Sequence, residues 1–476
     1  MDDDKTVLAV DLDGTLLRTD LLHENVAHHA ARRPGALIGA LAGLARGKAV
    51  FKDRLAQDFE PDAARLPYRQ EVLDLIGQAR RAGRPVVLVS ASDQRLVDRV
   101  AAHLGCFDAA YGSRDGLNLG GAGKAAFLAE RYGAGGYDYV GDAAVDLPVW
   151  RGARQAVTAG ANARLRARVD AAAPRALHLA TAPRPARAYL KALRPHQWLK
   201  NILVFLPLLA AHRIDAASLA ATALVFVAFS LTASVVYIVN DILDIPSDRA
   251  HPRKRSRPFA SGAVPIAHGA LMAALLAAAV AALCIAFLPP LVILALAGYC
   301  LLTTAYSVSL KRKMAVDICV LAGLYTLRII TGAAATMLPL SPWLLAFSVF
   351  LFFSLAAVKR QTELLSSRSA GVDKLAGRNY EVGDIPVITA MALASGYNAV
   401  LVLALYINSE TVAELYRSPF LLWLACPVLL YWLSRLILLT QRGLMDDDPV
   451  LFAVRDRISI ACGAAIVAIV LAASLL

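Results

Sequence analysis

A series of long apolar stretches after residue 199 limits the possible folds of this chain more than any other feature. They run at about 199–211, 217–239, 266–287, 290–306, 315–336, 341–358, 385–406, 419–440 and 457–475. A helix needs about 20 predominantly apolar residues to span a bilayer. The first stretch is shorter than this. Together the stretches predict an all-α polytopic membrane bundle of about nine transmembrane helices.

The N-terminal part has a different pattern, in which short apolar strands alternate with helical stretches. The strand patterns are Thr6–Val10, Pro85–Val89 and Tyr137–Val140, and the helical stretches lie at 69–82 and 93–104. Strands that alternate with helices indicate a parallel, doubly wound α/β sheet. We therefore expect a separate α/β domain in front of the membrane bundle.

The junction between the two parts has its own composition. Residues 181–187 contain prolines that cannot continue a helix, so they predict a linker. Tyr189–Trp198 is basic and aromatic, as expected of a segment that lies on a membrane surface. We predict an α/β domain at 1–180, a linker and interfacial segment at 181–198, and a membrane domain at 199–476.

Composition narrows the set of partners. The net charge of +12 suits a protein that binds anionic phosphates or lies on anionic lipid. We expect no nucleic acid, because no basic helix carries interleaved aromatic residues. The six cysteines lack CxxC spacing and mostly lie in apolar runs, so they predict buried free thiols and not disulfides or a zinc site. Residues 1–5 have neither the basic start nor the apolar run of a signal peptide, so we expect none before the α/β domain.

Polar side chains follow the predicted strands where each strand ends. Asp11 and Asp13 follow the first strand, Ser90 ends the second, and Asp142 and Asp146 follow the third. In open parallel sheets ligands bind beyond the carboxyl ends of the strands, so these side chains are expected to converge. The plain alternative is that the first two form a turn and the others are ordinary loop residues.

Four spaced motifs resemble those of the haloacid dehalogenase (HAD) phosphatase family over residues 5–179. They are DxDGT at 11–15, the strand-end Ser90, Lys124 between Gly and Ala, and GDxxxD at 141–146. The resemblance implies a small helical cap at residues 19–67 and a nucleophile that forms an aspartyl-phosphate. The implied roles are Asp11 as nucleophile, Asp13 as general acid and base, Ser90 and Lys124 as phosphoryl ligands, and Asp11, Asp13 and Asp142 as Mg²⁺ ligands. A domain with the same fold that binds or regulates without turnover is the alternative.

An acidic and then basic segment follows the apolar stretch that ends at residue 239. Asn240, Asp244 and Asp248 are spaced i, i+4, i+8, so on a helix they share one face, with Asp241 beside them. Ionisable residues at a membrane usually mark a function. These oxygens around Mg²⁺ suit a diphosphate. The cations of 253–257 suit the remaining phosphate charge, although such clusters are also common topology signals.

Nine spans with NDxxDxxxD after the second resemble the UbiA prenyltransferase superfamily over residues 189–476. The resemblance implies transfer of an isoprenoid from its diphosphate to an acceptor, with Mg²⁺ held by two aspartate-rich motifs. The chain departs from the second motif. Where DxxxD is expected, it has Lys359-Arg360-Gln361-Thr362-Glu363, so two cations and one carboxylate replace a magnesium-binding pair.

This departure resembles one branch of the superfamily, the decaprenyl-phosphate phosphoribosyltransferase family. The similar runs lie at 194–201, 237–258, 306–307 with 310–311, 317–319, 327–328 and 359–364. The resemblance implies that a polyprenyl phosphate attacks C1 of 5-phosphoribosyl diphosphate and that diphosphate leaves. The implied Mg²⁺ ligands are Asn240, Asp244 and Asp248; the implied catalytic residues are Asp241, Lys359 and Arg360; and the implied substrate-binding residues are Lys200, Asn201, Arg255, Arg257, Lys311, Asp317, Arg328 and Glu363.

Two charged residues fall inside one predicted span. Asp317 begins it, and Arg328 follows eleven residues later. On a helix the two share a face but lie roughly 16 Å apart along the axis. An arginine this deep should face the bundle interior. Two explanations of this buried arginine stay open, namely contact with the substrate and structural pairing with another residue.

The basic residues of the loops are distributed unevenly. Lys and Arg concentrate at 240–265, 307–314 and 359–384, whereas the connections near 288–290 and 337–341 have none. The positive-inside rule therefore predicts that the basic loops and the α/β domain lie on the cytoplasmic side of the cell (inner) membrane. We expect a phosphoribosyltransferase whose HAD-like domain removes the 5-phosphate of the lipid product. The alternative is a prenyltransferase that acts on an aromatic or lipid acceptor.

Overall fold

The computed structural model describes residues 6–42, 51, 54–114, 117–180, 186–375, 377–445 and 448–476. The start at 1–5, part of the predicted cap (43–50 and 52–53) and residues 181–185 of the predicted linker lie outside the described residues. The chain packs as two units. The first is Met1–Arg194 with Tyr237–Leu275, and the second is Pro195–Val236 with Leu276–Leu476. By packing, residues 237–275 therefore group with the N-terminal part; the division into domains at 180 and 199 stays a prediction.

The first unit is built on a sheet of six parallel strands. They are β1 (Val7–Val10), β2 (Val86–Asp93), β3 (Ala109–Ser113), β4 (Tyr137–Gly141), β5 (Gln155–Thr158) and β6 (Ala176–His178). Their order is β3-β2-β1-β4-β5-β6, so the chain order reverses between β1 and β4. The predicted doubly wound α/β fold is confirmed. The sequence analysis had identified β1, β2 and β4; β3, β5 and β6 are additional.

Helices cover both faces of this sheet, and strand β1 shows why. Leu8 and Val10 belong to the apolar cluster on one face, whereas Val7 and Ala9 belong to the cluster on the other. Successive side chains of a strand point to opposite faces, so an uninterrupted apolar strand requires a cover on each side. The helices of this unit's N-terminal part are α1 (Leu21–Arg32), α2 (Pro34–Ala42), α3 (Gln70–Arg81), α4 (Gln94–Leu104), α5 (Ala122–Tyr132), α6 (Leu147–Gly152), α7 (Ala163–Ala172) and α8 (Ala186–Leu193).

The predicted helical cap is present as α1 and α2. Helix α1 begins at the N-cap residue Asp20, whose carboxylate accepts hydrogen bonds from the amides of Leu22 (2.8 Å) and His23 (3.2 Å). Such a cap satisfies amides that have no partner within the helix. Phe51 and Leu55 form a small apolar core with side chains of both helices.

The remaining helices belong to the membrane part of the chain. They are α9 (Leu206–Ala210), α10 (Ala216–Leu243), α11 (Ile245–Ala250), α12 (Ile266–Phe287), α13 (Pro290–Val308), α14 (Val316–Ala335), α15 (Pro342–Ser369), α16 (Ile385–Ile407), α17 (Glu410–Leu415), α18 (Ala425–Gln441), α19 (Pro449–Ala453) and α20 (Arg457–Leu475). Among the described residues, eight helical segments are long and apolar enough to span a membrane, namely Ala216–Leu243, Ile266–Phe287, Pro290–Val308, Val316–Ala335, Pro342–Ser369, Val382–Ile407, Pro419–Gln441 and Arg457–Leu475. The predicted polytopic all-α bundle is confirmed.

The first predicted span, 199–211, has a different structure. Residues Pro195–Phe205 form a 3₁₀ helix, and only Leu206–Ala210 are α-helical. In the second unit the carbonyl oxygen of Val204 lies where a Cβ on Gly332 would stand, so this segment packs directly on α14. Close backbone packing on a small residue is typical of membrane helices.

Two apolar clusters form the core of the second unit. One joins α14, α15 and α16 through residues such as Ile318, Phe352 and Ile388. The other joins α16, α18 and α20 through residues such as Val400 and Leu433. All six cysteines are free. The prediction that they are buried holds for Cys284, Cys426 and Cys462 and is wrong for Cys319, which is exposed.

Candidate active sites

The first candidate site lies at the carboxyl ends of β1 and β4. Asp11 follows β1, and Lys124 lies near the start of α5. The Lys124 ammonium donates to Asp11 Oδ1 (2.6 Å) and to the Tyr139 hydroxyl (2.8 Å), and that hydroxyl donates to Asp146 Oδ1 (2.9 Å). The predicted nucleophile and the predicted phosphoryl-binding lysine are therefore in direct contact.

Three carboxylates converge at this site. Oxygens of Asp11, Asp142 and Asp146 lie within 4.8 Å of one another. Gly14 has a φ of +75°, and a Cβ there would stand 2.3 Å from Asp142 Oδ2, so the glycine of DxDGT makes room for this carboxylate. Three carboxylates beside one ammonium leave negative charge that a hard divalent cation would neutralise. The donor set therefore fits Mg²⁺.

Asp13 occupies a separate position. Its carboxylate accepts hydrogen bonds from the hydroxyls of Ser90 (3.1 Å) and Ser92 (2.6 Å) and from the Leu21 amide (2.8 Å). Asp13 as a Mg²⁺ ligand stays a prediction; the carboxylates close enough to share one ion are those of Asp11, Asp142 and Asp146. Ser90, predicted to bind the phosphoryl group, contacts Asp13 here.

Burial changes the pKa values of the two aspartates. It raises the pKa of Asp13 to about 6, with a smaller contribution from Asp20. It raises the pKa of Asp11 to about 8, against the opposing effect of Lys124. Burial acts to lower the pKa of Lys124, but the carboxylates of Asp11 and Asp146 raise it overall. A carboxyl group with a pKa near neutrality can both donate and accept a proton, as a general acid and base must.

The second candidate site is the acidic segment at the end of α10. Arg257 donates through Nη1 to Asp241 Oδ1 (3.1 Å) and to Asp248 Oδ2 (2.8 Å). Arg194 contacts the same Asp241 through Nε (3.2 Å). Both carboxylates are buried. The two aspartates are therefore held together by a shared guanidinium.

The other predicted metal ligands of this segment have a different environment. Asn240 and Asp244 are half-buried. The amide of Asp244 donates to the carbonyl of Asn240 (2.9 Å) and that of Asp248 to the carbonyl of Asp244 (2.8 Å), so the i, i+4 spacing continues through the junction of α10 and α11. Within the described chain, a group of three carboxylates close enough to bind one ion is found at Asp11, Asp142 and Asp146 and not in this segment. Arg255, predicted to bind substrate, is exposed.

The third candidate site, in the second unit, is an ion network around Arg360. Its guanidinium contacts Asp317 Oδ2 through Nη2 (2.8 Å) and contacts Glu363 through Nη1. Arg378 lies against the same two carboxylates, at 3.5 Å from Asp317 and 3.3 Å from Glu363. The Tyr380 hydroxyl donates to Asp317 Oδ1 (2.6 Å). The structure therefore brings together Asp317, Arg360 and Glu363, three predicted site residues, and adds two residues from the loop before α16.

Lys200 and Lys359 form a smaller group with one carboxylate. Lys200 is buried, its ammonium forms an ion pair with Asp448, and it lies 5.8 Å from the ring centre of Tyr325. Burial acts to raise the pKa of Asp448, but Lys200 and Lys359 lower it overall. Asp448 therefore neutralises part of the charge of these two predicted functional lysines.

Arg328 lies in an aromatic environment. Its guanidinium carbon is 5.1 Å from the ring centre of Phe229 and 5.4 Å from those of Tyr299 and Tyr325. Its Nε donates to Asn201 Oδ1 (2.9 Å). Aromatic faces attract a desolvated cation, so these contacts account for the buried arginine structurally. Lys311 is half-buried in the short 3₁₀ turn Leu310–Arg312.

Several residues at these sites had not been assigned a role from the sequence. They are Thr15, Ser92, Tyr139, Asp146, Arg194, Arg378 and Asp448. Thr15 and Asp146 belong to the quoted motifs, and Arg194 opens one of the similar runs, so a signal for these three was present. Asp448 has no comparable signal, because it meets Lys200 across 248 residues of chain.

Comparisons with known families agree with the two folds. Residues 202–473 match the UbiA prenyltransferase family. Residues 8–151 match the haloacid dehalogenase-like hydrolases. The first match covers more than half of the chain.

Individual relatives match different lengths of the chain. The uncharacterized protein y4nM of Sinorhizobium fredii is 38% identical over 98% of this chain and 90% of its own length. The nodulation protein NoeC of Azorhizobium caulinodans is 36% identical over 58% of this chain and 90% of its own length. Decaprenyl-phosphate phosphoribosyltransferase of Mycobacterium tuberculosis is 40% identical over 38% of this chain and 62% of its own length.

Solved structures similar to each part are more distant. A UbiA homologue from Archaeoglobus fulgidus, bound to GPP and Mg²⁺, is 15% identical, with a TM-score of 0.45 over 60% of this chain and 99% of its own. A substrate-bound phosphoserine phosphatase is 17% identical, with a TM-score of 0.27 over 37% of this chain and 94% of its own. On the family matches and the full-length similarity to y4nM, this chain is an integral membrane protein of the UbiA prenyltransferase family that also contains a HAD-like hydrolase domain.

Proposed function

We propose that the membrane part transfers a 5-phosphoribosyl group from phosphoribosyl diphosphate to a polyprenyl phosphate of the decaprenyl type. The observation that carries this proposal is the charge at the position of the second aspartate-rich motif. Three cations, Lys200, Arg360 and Arg378, pair with three carboxylates, Asp317, Glu363 and Asp448. Lys359 adds a fourth positive charge, which lowers the pKa of Asp448. An excess of cations suits an anion and not a second Mg²⁺.

The two substrates explain why such a charge is needed. A prenyl donor brings one diphosphate, whereas this reaction would bring a diphosphate, a sugar 5-phosphate and a lipid phosphate. Arginine and lysine bind phosphate oxygens with charge-assisted hydrogen bonds, and arginine does so with two parallel bonds. We assign Arg360 and Lys359, with Lys200, to the phosphate groups. The partial similarity to decaprenyl-phosphate phosphoribosyltransferase, over 38% of the chain, supports the same assignment.

The transfer step makes one bond and breaks one. An oxygen of the lipid phosphate attacks C1 of the ribose, and the bond between C1 and the diphosphate oxygen breaks. Asn240, Asp244 and Asp248 would hold a Mg²⁺, which would supply positive charge for the departing diphosphate. Arg257 and Arg194 keep Asp241 and Asp248 in place. The oxygens of this donor set are of the kind that Mg²⁺ prefers.

The HAD-like domain is proposed to remove the 5-phosphate of the lipid product. Asp11 attacks the phosphorus, and the bond to the ribose 5-oxygen breaks as Asp13 donates a proton to that oxygen. Water then hydrolyses the aspartyl-phosphate, with Asp13 accepting the proton of the attacking water. Asp11, Asp142 and Asp146 would hold Mg²⁺, which neutralises phosphoryl charge, and Lys124 keeps the Asp11 carboxylate oriented.

The proposal includes a location for both reactions. Phosphoribosyl diphosphate is a cytosolic, charged molecule, and the Lys- and Arg-rich loops predict that their side of the membrane is cytoplasmic. We therefore place the transferase site on the cytoplasmic side of the cell (inner) membrane. The HAD-like site is placed on the same side, because Glu24 of this domain pairs with Arg249 of a basic loop.

The test supplies the purified full chain with polyprenyl phosphate in vesicles, ribose-labelled phosphoribosyl diphosphate and Mg²⁺. We expect labelled lipid to form and diphosphate to be released in equal amount. The absence of lipid-bound label in a preparation that binds the donor would refute the transferase proposal.

A second candidate is prenyl transfer to an aromatic or lipid acceptor, which the family membership favours. The matched assay replaces the donor with a prenyl diphosphate and offers a phenolic acceptor. Release of diphosphate only from the prenyl donor would establish this alternative and exclude the first.

A further inference from the structure

A buried ion pair joins the HAD-like fold to the segment that follows the acidic motif, inside the first unit. Arg249, in α11, donates through Nη1 to Glu24 Oε2 (2.9 Å) and through Nη2 to Glu24 Oε1 (2.6 Å). Its Nε donates to the carbonyl of Ala260 (2.8 Å). The side chains of Arg249 and Glu24 are only 7% and 6% exposed. Two parallel bonds between a guanidinium and a carboxylate are the strongest and most directional form of this contact.

A second, independent contact joins the same two segments. Gly262 has a φ of +70°, and a Cβ there would stand 2.7 Å from Arg18 Cβ and 2.9 Å from the Arg18 carbonyl oxygen. Only a glycine allows the backbones to approach this closely without displacement. Residues 18–24 of the HAD-like fold therefore pack against residues 249–262 over more than one side chain.

Each residue of the ion pair lies next to a residue of a candidate site. Glu24 lies in the first turn of α1, and the first amide of that helix, from Leu21, donates to Asp13 (2.8 Å). Arg249 follows Asp248, which shares Arg257 with Asp241. The contact thus lies between the proposed acid of the phosphatase and the proposed diphosphate-binding segment.

The burial of this pair argues against an incidental surface contact. Exposed ion pairs contribute little to stability. A buried pair must overcome the loss of hydration, and removal of one partner leaves an uncompensated charge. The pair therefore penalises any arrangement in which α1 and residues 249–262 are apart.

We propose that the Glu24–Arg249 ion pair is a positioning contact that docks the HAD-like domain on residues 249–262, so that a phosphomonoester borne by a membrane lipid is presented to Asp11. The proposal that the two segments dock rests only on the contacts between residues 18–24 and residues 249–262. The presentation part rests on the proposed function of the HAD-like domain.

The docking is tested by hydrogen–deuterium exchange on the full chain in lipid nanodiscs, which reports local opening. In Glu24→Gln the amides of 249–262 should exchange about tenfold or more faster, and in Arg249→Gln those of α1 should do so. Amides of β1 and β4 serve as the internal reference. The control is Glu60→Gln, which removes an exposed pair with Arg99 (2.9 Å) in the same domain and should change neither segment.

If Glu24→Gln also loosens the sheet, Glu24→Asp, which keeps the charge on a shorter side chain, is measured in the same way. Unchanged exchange at 249–262 in a glutamate variant whose sheet is intact would overturn the docking.

The presentation part is tested with two substrates on the same variants. One is p-nitrophenyl phosphate, and the other is vesicle-borne polyprenylphosphoryl 5-phosphoribose added ready-made, so that the assay does not depend on the transferase. In Glu24→Gln, hydrolysis of the soluble ester should stay within about twofold of the unsubstituted chain, and hydrolysis of the lipid should fall about tenfold or more, as expected when an effective concentration is lost.

Equal losses on both substrates, or no loss on either, would overturn the presentation role. If the unsubstituted chain hydrolyses neither substrate, the proposed phosphatase function fails, whereas the exchange measurement still decides the docking.

Discussion

The carboxylates of the HAD-like site and those of the helical part stand in opposite charge environments. Asp11, Asp142 and Asp146 crowd within 4.8 Å of one another, with the Lys124 ammonium in contact with two of them. In the helical part, Asp317 and Glu363 each contact Arg360 and Arg378.

This difference separates two kinds of phosphate chemistry. Carboxylates in excess repel one another until a cation binds, so the first arrangement is suited to a metal. Asp317 and Glu363 are already matched by two guanidinium groups, so this network needs no metal and holds those groups in place for an anion. The HAD-like site therefore has carboxylates in excess, whereas the carboxylates of the helical part are matched by guanidinium groups.

Asp11→Asn should produce the largest difference between the two regions, because it should abolish hydrolysis and leave transfer intact. Loss of a nucleophile removes nearly all activity, so phosphomonoester hydrolysis should fall about a thousandfold or more. Transfer of labelled ribose to lipid should persist, and the 5-phosphorylated lipid should accumulate. Thin-layer separation of the two labelled lipids measures both. Asp74→Asn, at an exposed site on α3, is the control; equal product ratios in both variants would contradict the assignment of Asp11.

The corresponding change in the helical part is Arg360→Met. It leaves the buried Asp317 with one guanidinium fewer, and breaking a buried pair typically costs about 3–5 kcal/mol of stability. We expect a lower melting temperature and a loss of transferase activity of about a hundredfold, since 2.7 kcal/mol corresponds to about that factor. The double variant Arg360→Met with Asp317→Asn should melt above the single one. Full transferase activity in the single variant would show that this network does not serve the reaction.

The Mg²⁺ requirement of the phosphatase reaction tests whether the excess of carboxylates at the HAD-like site binds a metal ion. In Asp142→Asn the Mg²⁺ concentration that half-saturates hydrolysis of p-nitrophenyl phosphate should rise about tenfold or more, because one anionic ligand is lost. The Mg²⁺ dependence of lipid labelling should not move. Glu60→Gln serves again as the control, and an unchanged Mg²⁺ requirement for hydrolysis would exclude Asp142 from the metal site.

The smallest expected effects distinguish two arginines that the sequence grouped together. Arg257 bridges Asp241 and Asp248, whereas Arg255 is exposed. Arg257→Gln should lower transferase activity about tenfold, by analogy with other groups that orient metal ligands. Arg255→Gln should change it less than about twofold, because exposed charges contribute little. Initial rates at saturating lipid compare the two, and equal losses would mean that Arg255 binds substrate.

Local patterns in the sequence predicted much of the architecture. The apolar strand Val7–Val10 and the motif after it predicted the position of Asp11, because parallel strands bring their carboxyl ends to one edge. Length and apolar composition likewise predicted the membrane spans. The stretch at 199–211 was too short for a span, and it forms a 3₁₀ helix that packs on α14.

Local patterns could not predict which side chains contact the predicted site residues. Whether Asp13 or Asp146 joins the carboxylate group depends on where the Ser90 and Ser92 hydroxyls point. Whether Arg328 meets a carboxylate or aromatic rings depends on how four segments pack around it.

What the sequence alone determined is the set of charged groups and the elements that carry them, because periodicity and motif spacing act over a few residues. Only the tertiary structure decided which charges neutralise one another. Arg249 meets Glu24 across 225 residues, and Lys200 meets Asp448 across 248. Such pairs form where packing removes charged groups from water, because an unpaired buried charge is costly. No local pattern records which groups meet.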